Sequence, residues 1–243
     1  MAVAIITVGD ELLAGETENT NAAWLARQIT DRGGRVEEIL TVGDDRGTIA
    51  SRVQSRVSQF DQVIVTGGLG GTPDDLTMAA VADALGQDLE VDPAVREVAR
   101  ASSETFIAAH PDLAEKYELG LDAERVAETI AGGRPIENPA GLANGCVADG
   151  VYVLPGVPSE LQASFEQVAG EFAGDGRVET RVTDAPEGVL GRQLAELESR
   201  FAVRAGSYPG ERADQNRVRV SGDEESVRAA LDWLGERVTL ERE

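Results

Sequence analysis

The stretch Val63 to Thr77, VIVTGGLGGTPDDLT, leaves a folding chain few choices. Val63, Ile64 and Val65 form a short β-branched apolar run, as expected of a strand buried on both faces. Thr66 to Thr72 holds four glycines, and from Asp75 onward Leu76, Ala79, Ala80, Val81 and Ala84 recur at helical spacing. Strand, glycine loop and helix in that order make one step of an open α/β sheet, in which ligands bind beyond the carboxyl ends of the strands. Gly67, Gly68, Gly70 and Gly71 let the backbone approach a ligand closely, and the N–H groups at the start of the helix favour an anion. The loop therefore reads as a phosphate cradle.

It matches neither common phosphate loop. A Walker loop needs Gly-Lys-Ser/Thr, and the single lysine, Lys116, lies far away. A dinucleotide fingerprint begun at Gly68 would need glycine where Pro73 stands. In place of a lysine the loop offers Asp74 and Asp75, which repel a diphosphate unless a divalent cation lies between them. The plainer alternative is that both aspartates cap the helix that follows.

Two further strand ends repeat the theme. Ala2 to Val8 is an apolar run closed by Gly9-Asp10-Glu11, and Arg35 to Val42 is closed by Gly43-Asp44-Asp45. Between them Asn19-Thr20-Asn21 offers N-caps for a helix carrying Trp24, Leu25 and Ile29, which Asp31 to Gly34 stops. A helix follows over 46–58. This alternation predicts a doubly wound, mostly parallel α/β sheet with an acidic crevice.

Segments 93–109 and 111–130 read as helices, with His110 at the break as a dipole partner rather than a catalyst. Residues 137–141 read as a turn, followed by short strands around Cys146, a small core residue, and over 151–154. Pro155 to Glu160 ends a strand and starts a helix. Ala173 to Gly176 marks a boundary between domains at 1–172 and 176–243. The second has a βαββα order and a turn at 206–210 whose glycines stand too far apart for a Gly-x-x-Gly nucleotide clamp, which favours a packing or dimerisation role.

The formal charge of −22 over 243 residues, with 44 acidic against 22 basic side chains, points to a salt-rich cytosol. A thermal midpoint that rises from low to molar salt is the corresponding expectation. The same charge argues against nucleic acid as a partner. A lone cysteine excludes a disulfide framework, and no apolar run is long enough to span a bilayer. With a strand directly at the N-terminus, a cytoplasmic protein without a leader is expected.

Gly9-Asp10-Glu11-Leu12-Leu13, Asn19-Thr20-Asn21, Val42-Gly43-Asp44, Thr66 to Gly70 with Thr72 to Thr77, Asn138-Pro139, and Pro155-Gly156 with Pro158 and Glu160 occur in this order. Together they resemble the N-terminal domain of the CinA family, within the molybdopterin-binding superfamily of MoaB, MogA and MoeA. The likeness covers residues 2 to about 172, and the domain after it resembles the KH-like domain of CinA proteins. It implies a crevice for a nucleotide-like or pterin-like diphosphate. CinA-type domains are linked to divalent-metal-dependent hydrolysis of ADP-ribose to AMP and ribose 5-phosphate, whereas Mog-type relatives adenylylate or bind molybdopterin. A nucleotide-binding module without activity is the third reading.

On this resemblance Asp44 and Asp75 take the superfamily's two functional aspartates. Asp10, Asp44 and Asp75 are then expected to hold Mg²⁺, Mn²⁺ or Co²⁺, with Glu11 or Asp74 as general base. Gly9, Asn19, Asn21, Thr66, Gly67, Gly68, Gly70, Thr72, Asp74, Thr77, Asn138, Pro155, Gly156 and Glu160 are expected around the ligand. The chain departs from the family's pattern at Gly71 and Val157, where prolines are usual, at Ala143-Asn144-Gly145, and at Arg125-Val126, where the basic position is a lysine. No deamidase domain follows residue 243, so no deamidation of nicotinamide mononucleotide is expected, and the assembly is expected to be a homodimer.

Overall fold

A computed structural model describes residues 1–116, 121–210, 212 and 215–242. They divide into two compact units, Met1–Ala26 with Val36–Glu171, and Arg27–Arg35 with Phe172–Glu243.

The first unit begins with β1 (Ala2–Val8), α1 (Asp10–Leu13), the opening of α2 (Thr20–Asp31), β2 (Arg35–Val42), α3 (Arg46–Val57), β3 (Gln62–Thr66) and α4 (Thr77–Leu85). It continues with β4 (Leu89–Val91), α5 (Pro93–Ala109), α6 (Pro111–Lys116), α7 (Ala123–Val126) and β5 (Glu128–Ile130). It closes with β6 (Arg134–Ile136), β7 (Gly145–Ala148), β8 (Val151–Leu154) and α8 (Pro158–Val168). The apolar runs seen in the sequence become the buried centre of a six-stranded sheet in the order β2-β1-β3-β8-β7-β6. Val3 to Ile6 and Val63 to Val65 are essentially inaccessible, and each valine or isoleucine among them contributes about 1.5–3 kcal/mol on removal from water.

β1 pairs with β3, and β3 with β8, in parallel; β7 returns antiparallel on β8, and β6 on β7. The sheet is thus mixed: β1, β3, β8 and β6 point one way and β7 runs against its two neighbours. The cause is the two-residue turn Asp149-Gly150, with φ of 45° and 78°, whose positive dihedrals fold β7 directly back onto β8.

Other expectations shift locally. The helix expected from Asp75 starts at Thr77 and ends where Gly86 turns left-handed at φ 66°. Of the helix expected over 111–130, α6 and α7 are helical, residues 117–120 lie outside the described residues, and Glu128–Ile130 is a strand paired antiparallel with β4. His110 ends α5 as expected, its ring stacked on Phe106 and its Nδ1 2.9 Å from the Phe106 carbonyl oxygen. Cys146 is a free, fully buried core residue.

The second unit holds β9 (Arg177–Thr183), α9 (Glu187–Arg200), β10 (Val203–Pro209), β11 (Asn216–Gly222), α10 (Glu224–Gly235) and the short β12 (Glu241–Arg242). Its sheet, β10-β11-β9-β12, is antiparallel at every pairing. Leu190, Leu194 and Leu197 of α9 and Val227, Ala230 and Leu234 of α10 bury one face against Val203, Val218 and Val220. β10 runs straight through the turn expected at 206–210 as far as Pro209. Residues 173–176 are no free linker, because Gly174 and Gly176 donate their N–H groups to the carbonyls of Arg32 and Gly33, which is why 27–35 group with this unit. Among the described residues no helix is long and apolar enough to cross a membrane.

Candidate functional site

The carboxyl ends of β1, β3 and β8 open onto a cleft of about 630 Å³. Its floor is the glycine loop after β3. Gly67 lies at φ 105°, and a Cβ there would sit 2.2 Å from the Val8 carbonyl oxygen, so glycine alone lets the loop cross the end of β1. Gly68, at φ 64°, turns the chain back so that its carbonyl accepts from the N–H of Thr77. The N–H groups of Gly68, Leu69, Gly70 and Gly71 donate to no described residue, and all four residues line the cleft. Successive unpaired amides of this kind make a backbone nest for an anion.

Two side chains hold that loop in shape. One carboxylate oxygen of Asp75 accepts both the Thr72 N–H at 2.8 Å and the Thr72 hydroxyl at 2.5 Å. From behind, the Arg125 guanidinium donates to the carbonyls of Pro73 and Asp75 at 3.1 and 3.0 Å. Arg125 is therefore engaged with the loop's backbone and does not line the cleft.

The rim is acidic. Glu11, Glu18, Asp44, Asp74, Asp75 and Glu160 line the cleft, and among the described residues no lysine, arginine or histidine does. Asp10 and Asp44 clasp the ends of β1 and β2: the Asp10 N–H donates to the Asp44 carboxylate at 2.8 Å and the Asp44 N–H to that of Asp10 at 3.3 Å. Burial raises the carboxyl of Asp44 above the usual aspartate range, against the stabilising Asp10 N–H, and the charges of Asp10, Glu11 and Asp74 push the same way.

The expected set of Asp10, Asp44 and Asp75 is not assembled as one metal centre. Among the described residues no group of three His, Cys, Asp or Glu side chains converges on a point that could hold an ion. Asp10 bonds across to Asp44, and Asp75 closes the Thr72 turn.

The remaining expected residues separate into walls and supports. Gly9, Asn19, Asn21, Thr66, Gly67, Gly68, Gly70, Asp74, Pro155, Gly156 and Glu160 line the cleft; Asp10, Thr72, Thr77 and Asn138 do not. Several wall residues are also pins. Asn19 donates to the hydroxyls of Thr7 and Thr41 at 2.8 and 3.2 Å and caps α2 through the Ala22 N–H. Asn21 reaches the Gly156 carbonyl at 2.6 Å, and the buried Thr66 hydroxyl that of Pro155, also at 2.6 Å. Asn138 stands behind Glu160, donating to its carboxylate at 2.7 Å and to the Ala143 carbonyl at 3.0 Å. Sequence reading missed the aliphatic wall of Leu12, Leu69, Leu121, Val126 and Leu142, because apolar residues isolated in loops and one-turn helices give no periodic signal.

The comparisons with known proteins bear on the first unit above all. Residues 4–173 match a family described as "Probable molybdopterin binding domain". A protein of Archaeoglobus fulgidus is 30% identical over 239 residues, 97% of either chain. A CinA-like protein of Citrifermentans bemidjiense is 40% identical over 81% of this chain and 47% of its own. A protein of Aeropyrum pernix is 43% identical over 67% of this chain; here and in two Pyrobaculum relatives the match spans 59% of the relative's length. Among solved structures, a crystal structure of the protein CinA, of unknown function, from Thermoplasma acidophilum aligns with 72% of this chain and all of its own, at 32% identity and a TM-score of 0.60.

Proposed function

The chain belongs to the probable molybdopterin binding domain family as a CinA-like member of the MoaB/MogA superfamily, and from that premise we propose that its cleft binds and hydrolyses the diphosphate of a nucleotide such as ADP-ribose. The observation that carries this reading is the run of four unpaired N–H groups in Gly68 to Gly71, residues that line a cleft in which no described lysine, arginine or histidine takes part. The amides donate hydrogen bonds to phosphate oxygens and stabilise charge that develops on them. The carboxylates around them repel the same phosphates, so the ligand needs a cation as companion.

The donor set suits a hard divalent ion held by one or two carboxylates and completed by phosphate oxygens and water, as Mg²⁺ commonly is. Asp44 is the best holder, because burial and three neighbouring acids make its carboxylate the one a cation relieves most. Such an ion, when bound, supplies charge neutralisation at the phosphates. Glu11 lines the cleft with a carboxylate that makes no hydrogen bond to another described residue. It takes the proton of the water whose oxygen forms the new P–O bond as the bridging P–O bond breaks. The aliphatic wall excludes water from the ring end of the ligand.

Incubating the purified chain with ADP-ribose and Mg²⁺, Mn²⁺ or Co²⁺, and separating the products by chromatography, tests this. AMP and ribose 5-phosphate in the presence of cation, and neither after chelation, are expected. Tight binding of molybdopterin with no turnover of ADP-ribose under any cation would replace this reading with that of a pterin carrier.

A further inference from the structure

In a chain of formal charge −22, half of the 22 basic side chains lie in residues 172–243. Three of them share one surface. The pairings of β10, β11 and β9 put Arg204, Gly206 and Tyr208 on the same face as Arg217 and Arg219, opposite the face that α9 and α10 bury. Arg204, Arg217, Arg219 and Tyr208 are all exposed, and these three strands place no Asp or Glu on that face. The short β12 adds Glu241 at the far edge.

The aromatic ring is not placed at random. A Cβ added at Gly206 would lie 3.0 to 3.2 Å from the Tyr208 hydroxyl and ring atoms, so the ring lies across the glycine, along the sheet. Covering a strand glycine is one use of such a ring. Tyr208 nevertheless remains 48% exposed, beside Arg217, its cross-strand partner, and Arg219, the partner of Gly206. A flat ring with guanidinium groups around it can stack a base and hold the phosphates on either side.

We propose that this sheet face binds single-stranded RNA, a base stacking on Tyr208 with phosphates at Arg204 and Arg219. An isologous dimer through the same face would set arginine against arginine. An acidic protein segment would satisfy the charges and leave the exposed ring without a role. Thr180, opposite Arg219, and Ser221, opposite Arg204, supply hydroxyls within the same rows, suited to the ribose 2′-OH that separates RNA from DNA. The acidic balance of the whole chain, which argues against nucleic acid, does not describe this surface.

The test is fluorescence anisotropy of a labelled uridine-rich RNA decamer titrated with the full-length chain over a range of KCl concentrations. Parallel arms use the matching single-stranded DNA and a poly-glutamate peptide. Two phosphate contacts predict a log–log salt slope of about −1.4. Tyr208→Ala is expected to weaken binding by about tenfold, Tyr208→Phe to preserve it, and Arg204→Gln with Arg219→Gln to flatten the slope. Asp44→Asn, in the cleft of the other unit, should leave RNA binding unchanged. No binding at low salt, equal binding by Tyr208→Ala and Tyr208→Phe, or tighter binding of the DNA or the peptide than of the RNA would each overturn the proposal.

Discussion

Replacing Gly67 with alanine tests whether the glycine loop is held by steric necessity. At φ 105° an L-residue incurs about 1–2 kcal/mol from its own backbone. The new methyl group would also stand 2.2 Å from the Val8 carbonyl oxygen, a backbone atom that cannot swing away. Crowding of this kind in a packed interior costs about 1–3 kcal/mol more. The natural control is Gly86→Ala, where φ is 66° but nothing lies within 4 Å of the added Cβ, so the backbone term acts alone. Both changes reduce unfolded-chain entropy alike, so the difference between them reports the contact with Val8 together with the extra backbone strain of φ 105° over the ordinary left-handed 66°. With a denaturant slope of about 2 kcal/mol per molar in urea, Gly67→Ala should lower the midpoint by about 0.5–1.5 M more than Gly86→Ala. Fluorescence of Trp24, which packs edge-on against Phe165, reports on the first unit once Trp233→Phe silences the other tryptophan. Equal midpoints for the two variants would show that the loop does not press on the end of β1 as described.

Two further outcomes follow from the charges. Asp44 has a raised carboxyl, so its ionised form burdens the fold as pH rises through that raised value and costs nothing below the usual aspartate range. Asp44→Asn should therefore raise the thermal midpoint of the free protein at pH 7 by up to about 3 °C, leave it unchanged at pH 3, and abolish cation-dependent ligand binding. An unchanged cation dependence, measured by calorimetry, would remove Asp44 from the role proposed here. At another part of the first unit, burial and then the Glu171 carboxylate 2.9 Å away push the Tyr152 phenol up to about 12. The stability it contributes is present below the ordinary tyrosine value near 10 and is lost as pH rises through about 12. One phenolate should appear near pH 12 by ultraviolet absorbance and move down in Glu171→Gln, and a common midpoint near 10 for all tyrosines would contradict this.

The strands that carry the cleft are legible because each is a short apolar run that gives way to glycine, as at Val8-Gly9, Thr66-Gly67 and Leu154-Pro155-Gly156. The direction of β7 was also written in the chain, in Asp149-Gly150, but as a turn signal rather than a periodic one. Strands of three residues, such as Leu89–Val91 and Glu128–Ile130, are too short to show alternation, so the second was absorbed into an expected helix. At the site, residue types located the cleft and misjudged what individual carboxylates do. Nothing in the letters Thr72-Pro73-Asp74-Asp75 tells a metal ligand from an aspartate that accepts two hydrogen bonds from Thr72; the local fold of the loop decides it. Asn19 is similar. Its position at a helix start was apparent, while its grip on Thr7 and Thr41 depends on β1 and β2 lying side by side.

Phosphate binding in the cleft depends on the amides of the glycine loop, and amide ¹H–¹⁵N spectra observe them one by one. Adding ADP-ribose together with Mg²⁺ should shift the resonances of Gly68, Leu69, Gly70 and Gly71 at ligand concentrations that leave them unmoved when Mg²⁺ is withheld. Shifts confined to other residues, or equal shifts with and without the cation, would contradict a cleft that takes phosphate on its backbone and needs a positive ion to overcome its acidic rim.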